Sequence, residues 1–202
     1  MDSDLVEAVE KLKAILEKRS IPYELGAAPG KALAHAASIL TLPPRYKSFL
    51  EEADPKKLHT VTPVESLDFI PVEELVEEQA GFSLDDSLKP ADLGKDGSWK
   101  PTWIVIARSA LLGDPYFLDT SKVDAEGDCP VLTAMSGTDR WEPDLAASSF
   151  VQFLQILAIA MEVADGFGEA DIGVDDEDVF REALAPRIRP IDPAALRAGH
   201  WT

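Results

Sequence analysis

The residues that could act as nucleophiles, general bases or metal ligands are few and scattered along the sequence. The histidines His35, His59 and His200 stand alone, and none has a metal-binding spacing such as H-E-x-x-H. Ser136 follows Ala-Met and precedes Gly, so it lacks the leading glycine of the G-x-S-x-G nucleophile motif. Cys129 has no histidine nearby in sequence, which favours a buried and unreactive thiol. The sequence therefore predicts no catalytic residue.

The glycine-rich and acidic segments do not match a cofactor or metal motif either. Segment 26–30 holds two glycines without a preceding strand, and segment 166–168 follows a helix, whereas phosphate-binding loops open one. The acidic segment 171–178 lacks the register of a calcium-binding loop. We expect no cofactor and no metal ion. A glycosidase-like carboxylate pair cannot be named from sequence, because it is defined by a distance in space.

The strongest compositional signal is charge. The chain has 202 residues, with 37 acidic against 19 basic side chains and a formal net charge of −18. Binding to phosphate backbones needs clustered Lys and Arg, so direct nucleic-acid or anionic-membrane binding is not expected. Thirteen acids against four lysines lie between Glu51 and Asp96. This segment is either a solvated face that keeps the protein in solution or a surface complementary to a basic protein partner.

Six residues are candidates for contact with such a partner: Glu74, Glu77, Glu78, Asp114, Asp119 and Trp141. The three glutamates, with Glu73, belong to a predicted helix over 71–80, in which residues three and four apart are neighbours. The two aspartates belong to a predicted hairpin. Trp141 is ambiguous between packing and partner contact. The acidic segment 171–178 is a further alternative.

Several features predict a cytoplasmic protein without a membrane anchor. The start of the chain is acidic and lacks the basic and apolar regions of a signal peptide. The longest apolar run, 150–164, is shorter than the roughly 20 residues that a membrane span needs. One cysteine cannot form a disulfide within the chain, which fits a reducing compartment.

The hydrophobic pattern predicts both helices and a group of strands. An amphipathic helix is expected over 4–18, capped by Asp4, and a mostly buried helix over 150–164, capped by Ser149. Apolar runs at 103–109, 116–120 and 130–134 are joined by short connections, which favours an antiparallel meander. Further expectations are a strand region over 59–69, an exposed loop over 83–98 and helices within 31–40 and 44–53.

The composition changes after residue 165, so we predict one compact domain over 1–165 and an acidic C-terminal extension over 166–202. The extension is expected to be partly helical, over 175–185, and otherwise flexible unless it docks. Five residues of the long helix should face four residues of the sheet: Phe150, Phe153, Leu154, Leu157 and Met161 against Ile104, Ile106, Phe117 and Val131.

Three blocks, in this order, carry a family resemblance. The first is Leu42-Pro43-Pro44-Arg45-Tyr46-Lys47-Ser48-Phe49-Leu50. The second joins the apolar run that begins at Trp103 to Gly113-Asp114-Pro115-Tyr116-Phe117-Leu118-Asp119. The third runs from Pro130-Val131 through Trp141 to Ser149-Phe150 at the start of the long helix. Together they resemble the SUKH superfamily, the Smi/Knr-like group, over about residues 31–164.

The resemblance implies an α+β domain with a largely antiparallel sheet flanked by helices, and no catalysis. In this group a tryptophan near the position of Trp141 more often supports packing at the end of the sheet than it contacts a partner. Bacterial members of the group look like immunity proteins that neutralise polymorphic toxins, often nucleases, in the cytoplasm, and fungal members are regulators of cell-wall assembly. We therefore expect a binding protein, with a basic nuclease-type toxin as the first candidate partner. A scaffolding or regulatory interaction module remains open, as does an enzyme or small-molecule binder with an unrecognised site.

Overall fold

The computed structural model describes residues 1–92, 97–167 and 174–202, and for 174–176 it describes the backbone alone. Within these residues there are six α-helices and eight strands. The helices are α1 (Ser3–Lys18), α2 (Gly30–Ile39), α3 (Pro44–Ala53), α4 (Phe150–Ala164), α5 (Val174–Ile188) and α6 (Pro193–Ala198). The strands are β1 (Glu24–Gly26), β2 (Asp54–Lys57), β3 (His59–Val61), β4 (Ser66–Phe69), β5 (Trp103–Ser109), β6 (Pro115–Asp119), β7 (Val131–Thr133) and β8 (Asp144–Ala147).

The main sheet is an antiparallel meander of six strands in the order β3-β4-β5-β6-β7-β8. Strands β1 and β2 form a separate antiparallel pair that encloses α2 and α3 in sequence. The predicted α+β class and antiparallel sheet are thus confirmed. The strand region predicted over 59–69 is a hairpin, β3 and β4, because Thr62 and Glu65 close a turn in its middle.

Helix α4 covers one face of the sheet, and α1 packs on α4 from outside. Ser149 caps α4 as predicted, since its hydroxyl oxygen accepts the Gln152 N–H at 3.1 Å. The buried carboxylate of Asp128 accepts the N–H groups of Phe150 and Val151 as well. Helix α1 is capped by Asp2, not by the predicted Asp4.

The predicted core is buried, with one error of orientation. All nine side chains named for the contact between α4 and the sheet are at most 2% exposed. However, Tyr116 is the β6 residue whose ring meets Phe153 of α4, at 5.7 Å between centroids. Phe117 lies on the opposite face, against Trp99 and Trp103. Successive side chains of a strand point to opposite faces, so only one of the two can reach α4.

The predicted helix over 71–80 is wrong. Residues 72–76 form turns that lead into a 3-10 helix over Glu77–Gln79. The cause is Gln79, whose buried side-chain amide donates to the Val105 carbonyl at 3.0 Å and accepts the Val105 N–H at 2.9 Å. Strand β4 pairs only with residues 107–109 of β5. The Gln79 amide therefore makes the hydrogen bonds with Val105 that a neighbouring strand would otherwise make.

We expect Gln79→Ala to lower the free energy of unfolding by about 2 kcal/mol, because it removes the side-chain partner of three buried backbone groups, the Leu75 carbonyl and the N–H and carbonyl of Val105. Urea denaturation measures this loss. The exposed neighbour Glu77 offers a control, since Glu77→Ala should change stability by less than about 0.5 kcal/mol. Equal stabilities of the two variants would contradict the role given to Gln79.

The C-terminal extension docks on the rest of the molecule. Helix α5 includes the predicted helix over 175–185, and α6 packs on β8. Five hydrophobic residues of the extension are 0% exposed: Phe180, Leu184, Ile188, Ala195 and Trp201. The buried Asp192 carboxylate binds the Ser148 N–H and hydroxyl just before α4. The segment after α6 is therefore held in place, and the division at residue 165 stays a prediction.

Candidate functional site

The predicted acidic contacts differ in how free their carboxylates are. Glu74 and Glu77 are exposed, whereas Glu78 is half-buried and accepts a hydrogen bond from Arg108 at 2.7 Å. The Arg108 guanidinium in turn lies 5.0 Å from the centre of the Phe82 ring. Glu78 is thus engaged within the protein, and Glu74 and Glu77 remain the accessible pair of this segment.

Asp119 is the candidate that the structure places in the interior. It is 2% exposed and caps the short 3-10 helix over Thr120–Lys122. Its carboxylate accepts from the Ser121 hydroxyl at 2.6 Å and lies 3.2 Å from the Lys122 ammonium. A carboxylate with these partners stabilises the end of β6, and it is not presented to a partner.

Asp114 joins two loops at one end of the sheet. Its side chain accepts the backbone N–H of Ser136 at 2.6 Å, and its backbone carbonyl accepts the Ser109 N–H at 2.8 Å. The Ser136 hydroxyl also donates to the Gly113 carbonyl at 3.4 Å. The β5–β6 turn and the β7–β8 loop are therefore fixed to each other. We call residues 110–114 and 134–144 together the loop surface.

The loop surface carries large apolar side chains in solvent. Leu111, Leu112 and Met135 are 81%, 73% and 67% exposed. Sequence reasoning missed all three, although Leu111 and Leu112 directly precede the Gly-Asp-Pro turn and so had to fall at a hairpin tip. Exposed apolar side chains that adjoin one another are typical of protein interaction sites.

Trp141 forms a wall of an open cleft in the loop surface. The cleft has a volume of about 710 Å³ and is lined by eight residues: Met135, Thr138, Asp139, Arg140, Trp141, Glu142, Pro143 and Asp144. The Trp141 ring packs on Trp99 and Phe82, at 5.1 and 5.6 Å between centroids, and the backbone N–H of Trp141 donates to the Gly97 carbonyl at 2.9 Å. Trp141 is half-buried, so it both packs against the sheet and lines the cleft.

A scan against protein-family models identifies the chain by its central region. The model of the SMI1 / KNR4 family (SUKH-1) matches residues 35–156. This range is more than half of the chain. The chain belongs to the SMI1 / KNR4 family. No curated protein matches the sequence.

The part that matches the SMI1 / KNR4 family contains the whole main sheet, α3 and the first half of α4. It also contains all six candidate contacts and the whole loop surface. Helix α1 and the docked helices α5 and α6 lie outside the match. Within the described residues, no helix combines the length and the apolar composition that a membrane crossing requires.

Among the residues that the structure describes in this SMI1 / KNR4 chain, the histidines and the cysteine lie apart from one another. His59 contacts Asp68 on the surface at 2.7 Å, and His200 contacts the Tyr116 hydroxyl at the C-terminus. Burial, together with the Asp128 carboxylate, raises the pKa of Cys129 to about 12, so its thiol stays protonated. Among the described residues, no three His, Cys, Asp or Glu side chains are grouped as metal ligands. The predicted segment 171–178 lies partly outside the described residues.

A second cleft, of about 390 Å³, lies between α1, α4 and α5. Its apolar floor includes Ile15 and Ile159, and its rim carries three cations: Lys11, Lys18 and Arg187. Each cation already has a carboxylate partner, which is Glu7, Asp165 or Glu162. The loop surface, with unburied apolar groups, is therefore the stronger candidate site.

Proposed function

We propose that this protein acts by binding another protein, without catalysis, and that it is an immunity protein that neutralises a cognate toxin. Membership of the SMI1 / KNR4 family supports this class of function, since bacterial proteins of this group are associated with toxin immunity. The single observation that carries the proposal is the loop surface, on which two fastened loops hold apolar side chains in solvent. The proposed location is the cytoplasm, where a nuclease would be harmful.

The charge of the chain supports a basic partner. A net charge of −18 attracts basic proteins, such as those that bind nucleic acid through clusters of Lys and Arg. Long-range attraction of this kind raises association rates and suppresses encounters with acidic proteins. A nuclease toxin fits these requirements better than an acidic enzyme does.

The direct test is neutralisation. A candidate toxin domain, sought among the products of the neighbouring genes, would be expressed in cells with and without the present chain, and the growth of the cells would be measured. Restored growth together with a stable complex of the two purified proteins is the expected result. A stable complex without restored growth would instead indicate a scaffolding or regulatory module, and neither result would contradict a function in binding that protein.

We expect Glu74→Gln combined with Glu77→Gln to slow association with this basic partner about two- to fivefold at low salt, because the removed charges no longer attract it. The difference should shrink at physiological salt. Stopped-flow or surface-based kinetics at two salt concentrations measures it. Glu78 is left unchanged, since it holds Arg108.

The matched control removes two exposed glutamates elsewhere, with Glu24→Gln and Glu182→Gln. Both double variants change the net charge equally. If Glu74 and Glu77 lie at the interface, their replacement should slow association more than the control replacement does. Equal association rates for the two variants would mean that these acids only solvate the protein.

A further inference from the structure

The loop surface holds the three most exposed large hydrophobic side chains of the described residues. Leu111, Leu112 and Met135 are at least 67% exposed. The other exposed large hydrophobic side chains are between 39% and 54% exposed: Val6, Ile39, Val123 and Val179. The three thus stand out from the scattered apolar residues that any protein surface carries. The bonds of Ser136 to Gly113 and Asp114 join the loop that carries Met135 to the turn that carries the two leucines.

The turn that carries the two leucines is held by several hydrogen bonds. The Gly113 N–H donates to the Ser109 carbonyl at 2.9 Å, and the Ala110 N–H donates to the Ser66 carbonyl at 2.7 Å. The Leu112 N–H reaches the Ser109 hydroxyl at 3.3 Å. Because the backbone is fixed in this way, the leucines cannot fold back onto the sheet without losing these bonds. A surface that is ordered before binding loses less entropy when a partner arrives.

The loop surface also carries four carboxylates: Asp139, Glu142 and Asp144 line the cleft together with Met135, and Asp114 lies in the turn that follows the two leucines. Within the part of the chain that the structure describes, none of the four forms an ion pair. Arg140 is the single cation among the residues that line the cleft. The rim therefore has a negative potential without internal compensation, and it favours cationic groups on whatever covers the centre.

We infer that the loop surface is the docking site for a segment of a partner protein that presents one or two large apolar side chains flanked by Lys or Arg. The apolar side chains would cover Leu111, Leu112 and Met135 and enter the cleft beside Trp141, while the cations meet the four carboxylates. A second copy of this chain is the poorer occupant, because a symmetric contact would place the same carboxylates opposite one another. This inference rests on the proposed function in protein binding and names its site and partner chemistry.

The test uses the full chain, labelled with ¹⁵N, and three synthetic peptides of eight residues. The probe peptide has Leu and Trp at its centre and Lys or Arg on both sides, one control has Glu in place of the cations, and the other has Ser in place of Leu and Trp. We expect the probe to shift the amide signals of 111–114 and 135–141, and to bind at least fivefold more tightly than either control. Equal binding of the Ser peptide, or shifts centred elsewhere, would overturn the inference.

Variants separate the site from the fold. Leu112→Ser with Met135→Ser should weaken probe binding at least fivefold without lowering the melting temperature. The control, Val123→Ser with Val179→Ser, changes exposed sites elsewhere and should leave probe binding unchanged. A dimer in sedimentation that Leu112→Ser and Met135→Ser abolish would assign the surface to a second copy and overturn the inference.

The inference and the proposed function can fail separately. If Leu112→Ser with Met135→Ser neutralises the toxin as well as the unchanged chain does, the docking site is wrong and the proposed function stands. If the probe binds as expected and the chain neutralises no toxin, the docking site stands and the immunity function is wrong.

Discussion

Replacing Trp201 with alanine is expected to lower the free energy of unfolding by about 3–5 kcal/mol, although this residue is the last but one of the chain. Its side chain is fully buried, and its indole N–H donates to the Ala146 carbonyl of β8 at 2.8 Å. The change would leave a cavity between α6 and β8 and an unpaired carbonyl. Chemical denaturation followed by circular dichroism measures the loss.

Two controls define what Trp201 contributes. Trp201→Phe keeps a ring in the site and loses the hydrogen bond, so we expect a cost of about 1–3 kcal/mol. Val179→Ala changes an exposed side chain of α5 and should cost less than about 0.5 kcal/mol. If Trp201→Ala were as stable as Val179→Ala, the end of the chain would not be docked in solution.

Docking of the C-terminus protects one edge of the main sheet. Strand edges present unpaired N–H and C=O groups that can recruit other chains. At β8, the Trp201 indole N–H donates to the Ala146 carbonyl, and at the other edge Arg19, which follows α1, donates to the Val61 carbonyl of β3 at 2.6 Å. The segments outside the family match therefore supply side-chain donors to both edges of the sheet.

The elements that sequence reasoning predicted well have strong local signals. Strand β5 was predicted with its observed bounds because its seven residues form a continuous, mostly apolar run. Helix α4 was predicted because a cap, an apolar run and a stop signal agree. In both cases the residues that define the element lie within it, so no distant contact is needed to recognise it.

The elements that were missed depend on distant partners. Strands β1, β2 and β8 have three or four residues each, too few for periodicity to show. The segment 71–80 has a helical composition, but Gln79 bonds to Val105, 26 residues further along the chain, and this holds the segment in turns. The sequence after residue 165 does not reveal that this segment docks. The apolar residues of α5 and Trp201 are buried only by their contacts with α4 and β8, which are distant in sequence.

The sequence indicates the acidic residues of the candidate site, but it does not indicate the exposed apolar residues at its centre. Asp114 and Trp141 were selected from motifs, and the structure brings them to the same surface. Asp119 was selected by the same reasoning, yet it is an internal cap. Leu111 and Leu112 carry no sequence signal that distinguishes them from core leucines, because exposure is decided by the hydrogen bonds of the turn that holds them out.

The C-terminal segment also contains a half-buried histidine, His200, beside Tyr116. A carboxylate can only accept, so the Tyr116 hydroxyl donates to Glu65 at 2.9 Å, and the Nε2–H of His200 donates to the Tyr116 oxygen at 2.8 Å. Desolvation of its ring, together with the nearby Arg181 guanidinium, lowers the pKa of His200 from 6.5 to about 4, so His200 is neutral in the folded protein at neutral pH.

We expect this histidine to make folding pH-dependent between pH 6.5 and 4. In that range the unfolded chain binds a proton at His200 and the folded chain does not, so stability is full above pH 6.5 and falls as the pH drops. A pKa difference of this size corresponds to a loss of about 3 kcal/mol by pH 4. The measurement is urea denaturation at pH 7, 5.5 and 4.

The comparison variant His200→Gln keeps a neutral hydrogen-bond donor and cannot take up the proton. The two proteins share every other ionisable group, so the difference between their stability curves isolates His200. The unchanged chain should lose about 3 kcal/mol more than the variant between pH 7 and pH 4, while the exposed His35→Gln should follow the unchanged chain. Parallel curves for the unchanged chain and His200→Gln would show that His200 is accessible to protons, and hence that the C-terminal segment opens without unfolding of the sheet.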